Sequence, residues 1–278
     1  MSKRPVTVRI LFALPLVVTL AWAVLGAAQT SPFSTPVKAG QLFGMKVEDS
    51  DARKVGTLRN LIVDIRTGEL KYAVIGSGGF FGVHSTLKLA PAEVMSAGTT
   101  KRDTLALFAT NEQWKNAPTF KASNLALLGQ PAREREISRY FETSPANARN
   151  ATKYALSTTG REAGPATNPP PAELKFANDL IGLRVVNSKQ EKVGEVMDLL
   201  VSFGPPRPAF AIISTTRFYR HDHEYAVPLT ALSPTDSRHK LLLDADAATL
   251  QQAPEFNQQA WESRGDSGAA KIFRYSDQ

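Results

Sequence analysis

The sequence predicts a mainly β protein made of two small β-barrels, each with a short helix, joined by a flexible linker. Three observations predict it. Lys38–Ile75 and Phe176–Ile213 align without a gap at an offset of 138, with twelve of thirty-eight positions identical. Inside each copy apolar residues recur at a period of two, the pattern of a half-buried strand. Between the copies lies a Pro-rich stretch with few large apolar residues, which reads as linker. A long period present only twice argues for two globular modules rather than a solenoid of stacked repeats. The composition agrees: 278 residues, 42% hydrophobic and without cysteine, leave room for about two domains stabilised by core burial. They exclude collagen, a coiled coil, a polytopic membrane protein and a disulfide scaffold.

At the N-terminus, Lys3, Arg4 and Arg9 precede the apolar run Ile10–Leu25, followed by Gly26, Ala27 and Ala28. A basic region, an apolar region and small residues before a polar one form a secretory signal, residues 1–28, with cleavage expected after Ala28. The mature chain is then exported, periplasmic or secreted. Left uncleaved, Ile10–Ala28 is nineteen residues long, close to the roughly 20 a spanning helix needs. Membrane contact is expected only in that case. Removing residues 1–28 takes away three basic and no acidic residues, so the formal charge falls from +7 to +4. With no run of Lys or Arg longer than two, no electrostatic footprint for nucleic acid is left.

The first module is expected over 38–120. Leu61, Val63 and Ile65 form an inward face, with Asn60, Ile62 and Asp64 on the other side. Arg66–Glu69 makes a turn, Gly68 supplying the positive φ, before a second strand, Leu70–Ile75. Asn111–Asn116 reads as a short helix capped by Thr110 or Asn111. Residues 121–175 hold one amphipathic helix, Arg133–Glu142, with Ile137, Tyr140 and Phe141 on one face, expected to dock on a barrel. The linker from Thr143 to Glu173 follows and leaves the barrels mutually mobile. The second module, 176–260, repeats the strands with Leu199, Val201 and Phe203 inward and a short helix over Asp246–Gln252. Residues 261–278 form a C-terminal tail.

These features resemble the PRC-barrel family, the small barrel of the photosynthetic reaction-centre H subunit and of a ribosomal small-subunit maturation factor. The resemblance rests on Leu42, Gly44, Val47, Val55 and Gly56, the strand Leu58–Ile65, the strand Tyr72–Ile75, the glycine-rich Gly78–Gly82 and Leu89–Pro91. In the second copy Leu180, Gly182, Val193, Gly194, Val196–Phe203, Phe210–Ile213 and Ala226–Pro228 carry it. Thr215–His221 replaces the glycine-rich turn there. The resemblance implies a non-enzymatic protein-binding or assembly module, here of the bacterial cell envelope, with a protein partner and no cofactor. A barrel this small fills its own interior, so it acts through surfaces and edges.

No catalytic constellation is evident. Gly76–Gly82 has neither the lysine of a phosphate loop nor the spacing of a nucleophile elbow, and reads as a hairpin connection. Phe80 and Phe81 sit on that glycine-lined tip and point to opposite sides of a strand, so one is a candidate partner anchor. The alternative is that both cover the barrel end. His221 and His223 share a strand face and could grip Zn or Cu, with Asp222 or Glu224 joining only after a bend. The competing reading is a polar hairpin tip, because two ligands do not make a site. A metal or small-ligand binder, or an enzyme, built on that hairpin is the second function class.

Overall fold

The computed structural model describes residues 36–78, 86–97, 103–142, 170–204, 207–215, 223–237, 239–243, 245, 247–252 and 255–258. The first half contains β1 (Val37–Lys38), α1 (Ala39–Leu42), β2 (Lys46–Glu48), β3 (Lys54–Asp64), β4 (Glu69–Ser77), β5 (Thr86–Pro91), β6 (Met95–Ala97), β7 (Thr104–Leu107) and α2 (Asn111–Asn116). Two helices follow, α3 (Leu125–Leu128) and α4 (Pro131–Glu142). The second half contains β8 (Leu174–Phe176), α5 (Ala177–Leu180), β9 (Arg184–Val186), β10 (Lys192–Val201), β11 (Phe210–Thr215), β12 (His223–Pro228), β13 (Leu232–Pro234), β14 (Lys240–Leu243) and α6 (Ala247–Gln251).

Two sheets of the same design result, β5-β4-β3-β2-β7-β6 and β12-β11-β10-β9-β14-β13, each curled into a half-barrel. The duplication carries through to the register. Leu61 faces Ala73 and Val63 faces Leu70 in the first sheet, and Leu199 faces Ala211 in the second. Val47 pairs with Leu105 in parallel, as Val185 does with Leu241. The interiors are filled: Leu61, Ala73, Ile75, Leu105 and Leu107 have no exposed surface, nor do Leu199, Ala211 and Ile213. Such close packing explains the repeated glycines Gly56 and Gly194. A Cβ on Gly56 would stand 2.6 Å from the Gly76 carbonyl oxygen, and one on Gly194 would stand 2.6 Å from that of Ser214.

The local signals are realised where they were strong. Thr110 caps α2, its Oγ1 accepting from the Gln113 N–H at 3.1 Å. Gly68 takes φ +69° in the hairpin turn. In α4, Ile137 and Phe141 are buried against the first sheet, each gaining about 2 kcal/mol from burial. Asp246, the first residue of the second expected short helix, residues 143–169 of the linker, the signal segment and the C-terminal tail lie outside the described residues.

Two expectations are corrected. Ile62 and Asp64, placed on the outer face by the period of two, are buried to 0% and 1% exposure. Mutual mobility is corrected for the same reason: the halves exchange strands. β1 pairs with β10 of the second half (Val37 with Val201), and β8 pairs with β3 of the first (Lys175 with Val63). The short helices travel with these arms, because the Gly40 N–H donates to Asp198 Oδ1 and the Asn178 N–H donates to Asn60 Oδ1. One continuous cluster of buried apolar side chains runs through both sheets, so the halves are packed together.

Candidate functional site

A small second core stands apart from the main one. It comprises Leu200, Phe210, Ile212 and Ala226 of the second half, with Phe256 packed over them. The strand edge beside it is blunted, since the Phe256 N–H donates to the Glu224 carbonyl and Tyr225 bridges to Glu255. In the first half the Phe120 N–H donates to the Leu87 carbonyl in the same way, and Lys88 bridges to Thr119. Among the described residues the cover differs: the first half adds α3 and α4.

These helices are fixed by specific contacts. Gly129, between them, touches the returning chain so closely that a Cβ would lie 2.4 Å from the Ala172 carbonyl oxygen, and its own carbonyl accepts from the Ala172 N–H at 2.8 Å. Pro131 opens α4, where a missing N–H costs nothing. At the far end, Tyr140 Oη donates to the Gln113 carbonyl while Gln113 Nε2 donates to the Tyr140 carbonyl. Lys71 Nζ joins Glu69 and Glu134 at 3.1 and 3.0 Å, tying α4 to β4. Burial works against the Lys71 ammonium, but the Glu134 and Glu69 carboxylates outweigh it and raise its pKa. The neighbouring Glu93 carboxyl is pushed up, chiefly by burial. Tyr72, beneath α4, is raised well above the usual phenol range by burial and then by the charges of Glu134 and Glu93. Its hydroxyl is buried with no hydrogen-bond partner among the described residues. None of these groups forms a nucleophile and base pair; the cluster holds the helix down.

Between α3, α4 and β5 a groove of about 280 Å³ remains, walled by Leu89, Phe120, Leu128, Ile137, Tyr140 and Phe141. Leu127 stands at its lip, 54% exposed, and Asn124, Gln130 and Arg133 form a polar rim. A volume just below the usual ligand range suits one or two apolar side chains better than a large cofactor. Lys88 lies on the adjoining edge, its ammonium donating to the last carbonyls of α2, Trp114 and Lys115, at 2.8 and 2.6 Å. It closes that helix end.

The sequence-derived candidates fall elsewhere. Phe80, Phe81 and His221 lie outside the described residues. His223 opens β12, exposed, with Nδ1 against the Glu255 carboxylate, while Glu224 reaches Lys38 at 3.8 Å. Among the described residues, no group of three or more His, Asp or Glu is placed to hold a metal ion. The groove escaped sequence reading because its walls come from four separated segments. The one available signal was the helix face Ile137, Tyr140 and Phe141.

No curated protein matches the chain. A comparison with domain families matches the PRC-barrel domain twice, at residues 37–113 and 172–250, which are the two structural halves with their exchanged arms. With both halves matched over more than half its length, the chain belongs to the PRC-barrel domain family, as a tandem pair.

Proposed function

We propose that this chain is a non-catalytic protein-binding module of the bacterial cell envelope, and that it takes apolar side chains of a partner in the groove beside α4. PRC-barrel domains are commonly protein-interaction or assembly modules, and the family is non-catalytic. The observation that carries the reading is the contrast between filled half-barrel interiors and an outward apolar groove with Leu127 half exposed at its lip. The rim of Asn124, Gln130 and Arg133 suits the polar border of an interface. Phe80 and Phe81 are proposed as a second anchor. The exported location rests on the N-terminal pattern of Lys3, Arg4, Arg9 and the apolar run to Leu25. No described helix is long and apolar enough to cross a membrane, and residues 1–35 are not among those described.

A photo-crosslinking residue at Asn124 in the full chain, tested in its native envelope, should yield one discrete adduct that disappears with Leu127→Asp. The same probe at the exposed Lys189 serves as control. Equal adducts at both positions, or an adduct indifferent to Leu127→Asp, would refute the groove. Replacing Phe80 and Phe81 by Ser should weaken that adduct, and an undiminished yield would remove the second anchor. A mature N-terminus at Gln29 supports export with cleavage; a retained Met1 in the membrane fraction would make the chain a tethered scaffold.

A further inference from the structure

We propose that the seam between the halves is a self-complementary pairing surface whose partner is a module of the same kind: here the chain's own other half, and in trans a second copy of the chain. The main contacts across it come twice. Val37 on Val201 is matched by Lys175 on Val63, positions related by the repeat offset. The Gly40 N–H bond to Asp198 Oδ1 at 3.0 Å is matched by the Asn178 N–H bond to Asn60 Oδ1 at 3.3 Å. Each hairpin loop rests on the other half's 3-10 turn: the Gly204 N–H donates to the Ala92 carbonyl, and Gly68 sits so close to Thr230 that a Cβ would meet its Cγ2 at 2.9 Å. Reciprocal contacts of this kind are the mark of an isologous, two-fold interface.

The paired contacts all lie among the described residues, apart from the connecting segment. It leaves from Glu142, at the end of α4, and is back on the first half by Pro170, whose carbonyl accepts from Arg66 Nη2, and Ala172, bonded to Gly129. Both ends of residues 143–169 therefore sit on the first half. The chain passes into the second half only after β8 and α5, at Gly182, where φ is +85°, as at the equivalent Gly44. Gly182 N–H then bonds the Val196 carbonyl and Gly44 N–H the Leu58 carbonyl, which places each re-entry at the same point of the repeat. Pairing and covalent connection are thus separate features, and a surface that recognises its own kind has no means of distinguishing a half in cis from one in trans.

The test inserts a protease site between Gly160 and Arg161 of the full chain. After cleavage, native mass spectrometry at micromolar protein should find one species with the mass of both pieces; two folded pieces that separate would overturn the proposal. Two differently tagged cut preparations, mixed through brief urea exposure, should return mixed pairs, with the uncut chain refolded alongside to calibrate recovery. Recovery of original pairs alone would overturn pairing in trans. Asn60→Ala with Asp198→Ala should weaken association of the cut pieces at least tenfold while the uncut variant keeps its circular dichroism. An unchanged association would show that the arms do not hold the seam.

Discussion

Asp64 concentrates more structure on one side chain than any surface residue around it, and its removal can be worked through. The carboxylate is 1% exposed at the end of β3. Oδ1 accepts from the Arg66 N–H and the Glu173 N–H, both at 3.1 Å, and Oδ2 accepts from Thr67 Oγ1 at 3.0 Å. It therefore shapes the hairpin turn and anchors the arm that β8 lays on the first half. Hydrogen bonds to a charged group contribute about 1.5–3 kcal/mol each. Water can reach Arg66 and Thr67 in the turn, so most of the loss falls on the Glu173 amide and the buried cavity. Asp64→Ala should cost about 3 kcal/mol, a large part of a typical 5–15. With a urea slope near 3 kcal/mol/M, the unfolding midpoint should fall by about 1 M with the slope unchanged. Asp64→Asn keeps one acceptor oxygen and should lose less than half as much. A loss below about 1 kcal/mol for the alanine variant, or equal losses for both, would refute the assignment of this carboxylate as the tie between turn and arm.

Gly56→Ala and Gly194→Ala should each cost about 2 kcal/mol in urea unfolding, because the added Cβ meets a backbone carbonyl and an Ile side chain that are both locked in the barrel; unequal losses would break the equivalence of the two sites. Glu93 has its carboxyl pKa raised by burial, so the folded state holds its proton more tightly than the unfolded chain. The stability it contributes is full below the ordinary value of 4.5 and is lost as pH rises through the higher folded value. Glu93→Gln should therefore raise the melting temperature near pH 7 and flatten its dependence above pH 4.5; a steeper dependence would contradict the burial argument.

The repeat was legible because identical spacing forces identical pairing: Lys54, Val55 and Gly56 recur as Lys192, Val193 and Gly194, and each trio enters the long strand at the same point. Helix α4 was legible from Ile137, Tyr140 and Phe141, and the α2 cap from Thr110. The exchange was not. Val37–Lys38 and Leu174–Phe176 are too short to signal a strand, and nothing local says which half an arm will join. Its consequence, burial of Ile62 and Asp64 on a face that alternation assigns to solvent, follows from packing between distant segments. The groove was hidden for a related reason: Leu89, Phe120 and Leu128 belong to separate elements that meet only once α3 and α4 have folded back.

The pairing also says where in the chain to look for function. In a two-fold pair, features required by the seam must recur in both halves, and they do: the arms, the Asn60 and Asp198 acceptors, the hairpins and the blunted edges. A feature found in one half serves some other end. Among the described residues, α3 and α4 are that feature. Among the described residues, the second half packs Phe256 against Phe210 and Ile212, whereas the first half places Phe120 in the equivalent position and then adds two helices that leave an apolar groove. An apolar lip kept half exposed costs solubility and gains nothing within the fold, which is the physical reason for assigning partner contact to the groove rather than to the symmetric remainder.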